Sequence, residues 1–378
     1  MLPGKFFIRN WRNTLTDKYY DYLSEYPYGI SRDEKHEKLN IILKELTLHH
    51  IDSCPEYARI INAFDVNTCT INDYEEIPFL PVRIFKEFEL MSCKRSEVVK
   101  TMTSSGTTGQ QVSKIYLDKE TSVNQQKILT RIVSDFLGKS RLPMIILDTS
   151  AVVKDRNMFS ARGAGILGFS MFGRDKIYAL DDDMELNIEG LRDFLDKHRN
   201  ENIFLFGFTF MIWQHFYSKL KEKGEKLDLS NGIMIHGGGW KKLEDEAVSP
   251  DEFKNRLQDI CGITKVYNYY GMVEQTGSIY MECEYGHLHA SIFSDVIIRN
   301  PIDWSECGTK ERGLIEAVSV LPLSYPGHLL LTEDEGCIEG EDDCPCGRKG
   351  KYFKIFGRVK NAEIRGCSDT YADKFGRN

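Results

Sequence analysis

Short apolar runs alternate with amphipathic stretches through the middle of the chain. Four of these runs end close to glycine, serine or threonine: LPMIILDTS, NIFLFGF, NGIMIHGGG and KVYNYYG. Around them lie segments with apolar residues at helical spacing: TSVNQQKILTRIVSDFLGKS, MELNIEGLRDFLDKH, FMIWQHFYSKLKEKGEKL and SPDEFKNRLQDICG. Strands that alternate with helices predict a layered α/β fold with largely parallel strands. Ligands of such folds gather at the carboxyl ends of the strands, which here carry the small and polar residues.

The two ends of the chain have a different pattern. The first hundred residues contain helical patterns such as SRDEKHEKLNIILKELTLHHI, and EEIPFLPVRIFKEFEL, with two prolines, predicts an extended segment. From about residue 313 the pattern turns to β-structure, as in GLIEAVSVLPLSYPGHLLLTEDEG and KYFKIFGRV. We therefore expect a helical N-terminal part over 1–100, a core with a β-rich end over 101–356, and a short tail over 357–378.

Length and composition allow one large domain or two to three ordinary ones. Of the 378 residues, 41% are hydrophobic, enough for a large core, and the net charge is −8. That charge speaks against a general affinity for nucleic acid or for an anionic membrane. The N-terminus has no apolar segment of signal-peptide length, and the longest apolar run, near NIFLFGFTFMIW, is too short to span a bilayer. We expect a cytoplasmic protein.

The segment TMTSSGTTGQQ, residues 101–111, crowds hydroxyl side chains and glycines together. Gly106 and Gly109 let the backbone approach an anion closely, and the serines and threonines add hydroxyl donors beside the backbone N–H groups. Together they can wrap a polyphosphate. No Gly-Lys-Ser/Thr follows, so this is not a Walker A loop. The alternative is an ordinary polar turn between two strands.

Three downstream motifs accompany this loop: HGGGWKK, YYGMVEQTG and LLLTEDEG, each at or after an apolar run. In order and spacing the four elements resemble the adenylate-forming superfamily of acyl-CoA ligases. The resemblance implies the large N-terminal domain of that superfamily, with layered α/β sheets and a small β-rich subdomain, and with the C-terminal domain missing or reduced to a tail. It also implies ATP and Mg²⁺ as cofactors.

The resemblance assigns roles to the matching residues. The phosphates of ATP fall to Ser104, Ser105, Gly106, Thr107, Thr108 and Gly109, and the adenine to Gly238, Gly239, Tyr270 and Gly271. Asp334 is implied at the ribose, Glu274 at magnesium, and Arg358 of FGRVK near the ribose or phosphate. Thr107 and Glu274 thereby become candidate catalytic residues. The family loop usually ends with a lysine soon after its last glycine, whereas here the lysine is delayed to Lys114.

These residue types suit attack of a carboxylate on the α-phosphorus of ATP, which forms acyl-AMP and expels pyrophosphate. Hydroxyls, backbone donors and Mg²⁺ would stabilise the charge on the phosphoryl oxygens.

Nearly the whole chain is similar to a narrower family, the acyl-protein synthetases (LuxE) of bacterial luminescence operons. The likeness lies in TSSGT, GGGWK, EEIPFLPVRIFK and the terminal RGCSDT. In that family a cysteine close to the C-terminus accepts the acyl group from acyl-AMP, and the resemblance gives this role to Cys367. Thiolate attack would expel AMP and leave a thioester, and Arg365 and Lys374 can favour the thiolate. The alternative is an incidental free thiol.

The resemblance further implies a carboxylic acid substrate, in particular a fatty acid, and a protein partner, such as a fatty-acid reductase, that receives the acyl group. Two other interpretations stay open. One is a ligase of the phenylacetate-CoA ligase type that makes acyl-CoA or another thioester or amide. The other is a non-catalytic homologue that has kept the fold and binds a nucleotide.

A second group of cysteines and histidines lies in MECEYGHLH and CIEGEDDCPCGRKG. A Cys-Pro-Cys-Gly pair with a distant cysteine and histidine suits a tetrahedral structural zinc. Similar segments in the phenylacetate-CoA ligase branch favour as ligands Cys283, His289, Cys344 and Cys346. Cys337 and His287 are the reserves. The alternative is a reduced loop without metal.

Overall fold

The computed structural model describes residues 18–64, 71–104, 112–154 and 161–359. Its α-helices of four or more residues after residue 30 are α1 (Arg32–Ser53), α2 (Pro55–Ala63), α3 (Ile84–Glu87), α4 (Lys119–Leu137), α5 (Ala151–Lys154), α6 (Ala161–Phe169), α7 (Ile188–Lys197), α8 (Ser218–Lys223) and α9 (Pro250–Cys261). Its strands are β1 (Leu80–Pro81), β2 (Val98–Thr103), β3 (Lys114–Asp118), β4 (Leu142–Thr149), β5 (Gly173–Leu180), β6 (Ile203–Phe208), β7 (Gly232–Gly237), β8 (Lys265–Tyr270), β9 (Tyr280–Glu282), β10 (Leu288–His289), β11 (Ser294–Arg299), β12 (Gly313–Ser319), β13 (Leu329–Glu341) and β14 (Lys351–Arg358).

Within the described ranges, twelve of these strands form one mixed sheet. Their order is β11-β12-β13-β14-β10-β9-β8-β7-β6-β4-β5, with β1 beside β13, while β2 and β3 form a separate hairpin. Strands β8, β7, β6, β4 and β5 pair with one another in parallel, whereas β8 pairs with β9 on its other side in antiparallel. Every residue of β6 and β7 is buried, as expected for parallel strands covered on both faces. The predicted α/β fold with parallel strands is confirmed.

The parallel half contains a point where the strand order reverses. The chain passes from β4 to β5 on one side and then to β6 on the other side of β4. Connections that leave such a strand in opposite directions open a crevice at the carboxyl ends of the strands. Thr149, at the end of β4, and Thr209, directly after β6, lie at this edge.

The antiparallel half begins at β9, earlier than the predicted onset near residue 313. The short strands β9 and β10 join β8 to β14, and β13 pairs with β12 and β14 along its thirteen residues. The segment with two prolines forms a strand at β1, where Leu80 pairs with Leu330 in parallel, before it turns into α3. The N-terminal part is therefore attached to the strand that carries Asp334.

A buried charge network fastens α1 to the antiparallel half. Lys35 and Lys351 each place an ammonium nitrogen 3.0 Å from a different carboxylate oxygen of Asp295, and Tyr74 donates its hydroxyl to the same carboxylate at 2.6 Å. Burial opposes ionisation of Asp295, but the two ammonium groups outweigh it and lower its pKa. Loss of one partner would leave a buried charge uncompensated, which costs about 3–5 kcal/mol.

Helix boundaries follow local signals closely. Ser249 accepts a hydrogen bond from the Glu252 amide at 3.2 Å and Pro250 opens α9, and both residue types are favoured at the start of a helix. After β6 the helical segment is irregular, because Ile212–Tyr217 form a π-helix between Thr209–Met211 and α8. A π-helix carries one extra residue per turn and is frequent at functional sites.

None of the helices in the described part of the chain is long and apolar enough to cross a membrane.

Two buried histidines lie side by side between α1 and the start of β13. The rings of His50 and His328 are 4.9 Å apart and both are at most 1% exposed. His50 bonds to Ser92 Oγ at 2.7 Å and to Pro322 O at 3.1 Å, and His328 bonds to Thr47 Oγ1 at 2.9 Å. Burial lowers the pKa of His328 to about 3 and that of His50 well below its usual value. Both rings are therefore neutral in the folded protein.

This pair predicts sensitivity to acid. In the unfolded chain each ring takes up a proton near pH 6.5, whereas the folded chain does not, so stability is present above that pH and is lost as the pH falls. Each ring contributes a loss of about 1.4 kcal/mol per pH unit below the unfolded pKa. The free energy of unfolding, measured with urea between pH 7.5 and 4.5, should fall less steeply with decreasing pH in His328→Gln than in the wild type, by about that amount per pH unit. Tyr57→Phe, in the same core, should show the same pH dependence of the free energy of unfolding as the wild type. An equal pH dependence in His328→Gln and the wild type would refute the role of His328 in acid sensitivity.

Candidate active site and metal cluster

The first candidate group lies at the carboxyl ends of β6 and β7. Thr209 Oγ1 is 2.8 Å from Gly238 O and 3.0 Å from His236 Nδ1. Since the single hydroxyl proton goes to the carbonyl, His236 donates from Nδ1 and keeps Nε2 as an acceptor. Burial lowers the pKa of His236 to about 3, so the ring is neutral. Gly238 has φ +76°, and a Cβ there would lie 3.2 Å from the Phe208 ring, so both conformation and space favour glycine.

A second group joins the end of β8 to β13 and β14. The Tyr270 hydroxyl donates to Asp334 Oδ2 at 2.7 Å, and Arg358 Nε lies 3.7 Å from Asp334 Oδ1. Asp334 of β13 and Arg358 of β14 lie directly opposite each other in this antiparallel strand pair, so the backbone pairing fixes the distance between the two residues. Burial and the Asp334 carboxylate raise the pKa of Tyr270, so its hydroxyl remains a donor. The three predicted nucleoside-site residues are thus brought together.

Glu274 lies four residues beyond Tyr270, on a 3₁₀ turn of Val273–Gln275, and its side chain is fully buried. Its main-chain carbonyl accepts a hydrogen bond from the Tyr325 hydroxyl at 2.9 Å. A carboxylate is the oxygen ligand that Mg²⁺ prefers, so the chemistry of Glu274 fits the predicted role. Gly271 is exposed between the end of β8 and this turn, and Gly239 has open space around its Cβ position.

The hydroxyl-rich loop is carried by the hairpin of β2 and β3. At its base Ser104 and Ser113 bond in both directions: the Ser104 amide donates to Ser113 O at 3.1 Å, and the Ser113 amide donates to Ser104 Oγ at 2.9 Å. The delayed Lys114 pairs with Thr103 across the stem, where it is exposed. The other predicted phosphate-binding residues, Ser105 to Gly109, lie outside the described residues, and so does Cys367.

Four predicted metal ligands come together between β9, β10 and the β13–β14 hairpin. Ligand atoms of Cys283, His289, Cys344 and Cys346 all lie within 4.8 Å of one another. The Cys283 and Cys344 sulfurs are 3.9 Å apart, and Cys346 Sγ is 3.4 Å from His289 Nε2. A tetrahedral zinc with Zn–S bonds of about 2.3 Å needs sulfurs about 3.8 Å apart, so these separations fit a zinc ion.

The groups around the cluster also suit thiolates. Backbone amides of Tyr285 and Arg348 point at the sulfurs of Cys283 and Cys346, each at 3.4 Å. Burial raises the pKa of the Cys344 thiol to about 12, so ligation of a cation there would release a proton. Of the reserves, His287 lies beside the cluster with Nδ1 3.2 Å from Cys344 Sγ, while Cys337 is not among the four clustered ligands.

The cluster is attached to α4 and to the segment that precedes α1. Arg348 bonds through its guanidinium to Asp135 at 2.9 Å and to Glu284 at 3.0 Å, and it lies 4.3 Å over the Phe136 ring. The Lys349 amide donates to Tyr28 O at 3.1 Å. A metal at this position would therefore pin the β-rich half to the helix that follows the hydroxyl-rich hairpin.

Some residues near these groups carry no sequence motif. Thr209 could be suspected only from its place directly after an apolar run, and Tyr325 lies in an unremarkable segment, SYPG. His236 opens the HGGGWKK motif, but the sequence does not reveal that its ring is buried and neutral. The aromatic side chains of the π-helical segment pack together: Trp213 stacks on Tyr217 and faces Trp240 edge-on.

Solved structures of 2-hydroxyisobutyryl-CoA ligase have a similar fold. An open conformation in complex with 2-HIB-AMP and CoA matches with a TM-score of 0.67 over 88% of this chain and 72% of that chain, at 14% identity. A complex in the thioesterification state matches with a TM-score of 0.67 over 89% and 71%, at 15% identity. At such identities the likeness establishes the fold, which is that of adenylate-forming ligases.

The family follows from the sequence match. Residues 13–376 match the family described as acyl-protein synthetase, LuxE, and the chain belongs to that family. Two curated relatives carry the name long-chain-fatty-acid–luciferin-component ligase. The protein of Vibrio harveyi is 21% identical over 358 residues, which are 92% of this chain and 91% of the relative. The protein of Aliivibrio fischeri is 20% identical over 365 residues, 93% and 92% of the two chains.

Proposed function

We propose that this protein activates a fatty acid with ATP, forming acyl-AMP and pyrophosphate, and transfers the acyl group to its own Cys367. The observation that supports this most is the Tyr270–Asp334–Arg358 group beside the buried turn of Glu274. It occurs in a fold whose solved relative holds an acyl-AMP. Membership of the acyl-protein synthetase family supports ligase chemistry, and the names of the curated relatives support a long-chain acid.

In the first step the residues of this chain bind and orient. The hydroxyls and amides of residues 104–109 would hold the phosphates, with Thr107 among them. Tyr270 and the glycines at 238, 239 and 271 would receive the adenine, while Asp334 accepts hydrogen bonds from the ribose hydroxyls and Arg358 adds a positive charge. Glu274 would hold Mg²⁺. The metal, when bound, neutralises charge on the phosphoryl oxygens.

The second step needs only the thiolate of Cys367. Its sulfur forms a bond to the carbonyl carbon of acyl-AMP, and the bond from that carbon to the phosphate oxygen breaks, releasing AMP. The product is a thioester, which keeps enough activation for a later transfer. A protein that takes the acyl group from a thioester, such as a reductase, is the partner that this chemistry implies.

ATP–pyrophosphate exchange with a panel of acids tests the proposal. We expect exchange that depends on added acid and is fastest with a long-chain fatty acid. A nucleotide-binding protein without catalysis would show no exchange. Acyl-CoA formation with added CoA, without any acyl group on the protein, would instead identify a CoA ligase.

We further propose that Cys283, His289, Cys344 and Cys346 bind a structural zinc ion. Purified wild-type protein should contain about one zinc per chain. Cys344→Ser should lose the metal, and the free energy of unfolding should fall by several kcal/mol, because metal binding contributes directly to folding.

Cys337→Ser is the matched control for that experiment. Cys337 is buried like Cys344, but it lies on β13 and outside the cluster. It should keep the zinc, even if the buried hydroxyl costs some stability. Wild-type protein with hardly any zinc, or full zinc content in Cys344→Ser, would contradict the assignment. Zinc is measured by elemental analysis and stability by urea unfolding.

A further inference from the structure

The turn that carries Glu274 is held by a buried tyrosine from a distant part of the chain. Tyr325 is fully buried, and its hydroxyl donates to Glu274 O at 2.9 Å. The same hydroxyl accepts a hydrogen bond from Gln125 Nε2 of α4 at 3.3 Å. One hydroxyl thus uses both its donor and its acceptor capacity to connect the turn with α4.

The surroundings of this hydroxyl are closely packed. A Cβ at Gly327 would lie 2.3 Å from the Tyr325 ring and 3.1 Å from Glu274 O, so only glycine leaves room for the contact. Gln275, next to Glu274, donates from Nε2 to Ala317 O and to Gly327 O, both at 2.9 Å. The turn cannot move relative to Tyr325 without breaking these buried hydrogen bonds.

The segment that contains Tyr325 also fastens the stem of the hydroxyl-rich hairpin. The Ser324 amide donates to Thr121 Oγ1 at 3.1 Å, and Ser324 Oγ donates to Tyr116 O at 2.8 Å. Tyr116 belongs to β3 and Thr121 to the first turn of α4, so both follow the hairpin loop directly. Residues 324 and 325 therefore contact both the phosphate-loop stem and the Glu274 turn.

A direct contact between α4 and the turn completes the link. Gly277, at φ +93°, approaches the backbone of Gln125 so closely that a Cβ would lie 2.7 Å from Gln125 O. The helix and the exit of the turn are thus packed backbone to backbone. The Gln125 side chain also connects the helix to the turn, because it donates to the Tyr325 hydroxyl, which in turn donates to Glu274 O.

We propose that Tyr325 is a positioning residue that fixes the Glu274 turn relative to the stem of the hydroxyl-rich hairpin, at Tyr116 of β3 and Thr121 of α4. This rests on the proposed function, in which the loop holds the phosphates and Glu274 holds the magnesium ion bound to them. A metal shared between two elements binds best when their separation is fixed in advance. Tyr325 acts through the main chain of Glu274, so its loss should weaken use of Mg²⁺ rather than recognition of the acid.

The test compares Tyr325→Phe with Tyr19→Phe. Tyr19 is a matched control, because it is also buried and donates to a main-chain carbonyl, that of Val320, at 3.0 Å. In Tyr325→Phe the Mg²⁺ concentration for half-maximal ATP–pyrophosphate exchange should rise about threefold to tenfold, as for loss of one buried hydrogen bond. The KM for the fatty acid should stay within about twofold of the wild-type value in both variants, since neither substitution is expected to change the binding of the acid. Without any ligand, deuterium uptake over residues 272–277 should rise in Tyr325→Phe and not in Tyr19→Phe.

A second variant, Gln125→Met, removes the other partner of the hydroxyl and should shift the Mg²⁺ dependence in the same direction by a smaller factor. Equal Mg²⁺ dependence and equal deuterium uptake in Tyr325→Phe and Tyr19→Phe, with an active wild-type protein, would overturn this inference alone. A parallel rise of the KM for the acid would mark a general structural effect and would also overturn it. A wild-type protein without any exchange would overturn the proposed function together with the inference.

Discussion

Glu274→Gln should lower acid-dependent ATP–pyrophosphate exchange about 100-fold or more if Glu274 binds magnesium as proposed, because a negative ligand would be replaced by a neutral amide of the same size. Glu274 is fully buried, so water cannot easily take the place of the lost charge. The loss should appear in the maximal rate at saturating ATP, since the charge that the metal neutralises grows towards the transition state. Exchange is measured with labelled pyrophosphate at several Mg²⁺ concentrations.

Glu316→Gln is the matched control for this experiment. Glu316 is also fully buried, in the antiparallel half, where it is paired with Arg299 Nε at 2.6 Å. Burial raises its pKa to about 7 although Arg299 opposes the rise, and Glu316→Gln should lower the free energy of unfolding by up to about 3–5 kcal/mol because it breaks a buried ion pair. This variant should keep exchange within about twofold, as substitutions away from a site usually do. Equal exchange in Glu274→Gln and wild type would remove Glu274 from the metal site.

Cys367→Ser should abolish the acyl thioester and leave exchange intact. The two steps are separable in this account, because adenylation uses the loop, Glu274 and the nucleoside group, whereas transfer uses only the thiolate. Labelled fatty acid with MgATP should mark the wild-type protein in a form that neutral hydroxylamine removes, as expected for a thioester. The serine variant should release no label under the same treatment.

Cys307→Ser is the control for loss of a thiol, since Cys307 is a free and partly exposed cysteine far along the chain from the tail. It should label like wild type. Hydroxylamine-sensitive labelling of Cys367→Ser at the wild-type level would show that another group accepts the acyl chain.

Most of the parallel half of the fold could be predicted from sequence because its signals are local, but β5 was missed, since Arg174, Asp175 and Lys176 interrupt its apolar pattern. Each apolar run between 142 and 270 became a strand, and Ser249 and Pro250 set the start of α9 as their types predict. Parallel strands place their carboxyl ends on one edge, so the position of Gly238 followed from the pattern, whereas no motif marks Thr209. The π-helix after β6 has no such signal, because its extra residue per turn depends on packing.

The antiparallel half shows where local signals fail. The strands β9 and β10 are only three and two residues long, too short to give a periodic pattern, and β11, which is buried at every position, has no alternating pattern, so the predicted β-region began too late. The network of Lys35, Asp295 and Lys351 joins residues 260 positions apart, and ion pairs at that distance leave no trace in a single sequence.

The candidate site divides in the same way. Motifs identified Tyr270, Asp334 and Arg358 separately, and the structure brings them together through the pairing of β13 with β14. Four cysteine and histidine residues chosen by motif likewise converge in one cluster. Tyr325 lies 51 residues from Glu274 and was not predictable, since its role depends on a single hydrogen bond to a main-chain atom. The roles of Ser105 to Gly109 and of Cys367 stay predictions from sequence.

The mass of the intact protein after incubation with MgATP and a long-chain fatty acid tests the central claim most directly, with the released AMP counted in the same sample. We expect one acyl group per chain, located at Cys367, one AMP for each acyl group, and reversal of the mass change by hydroxylamine. Release of AMP with no change in the mass of the protein, or an acyl group that forms without ATP, would contradict it.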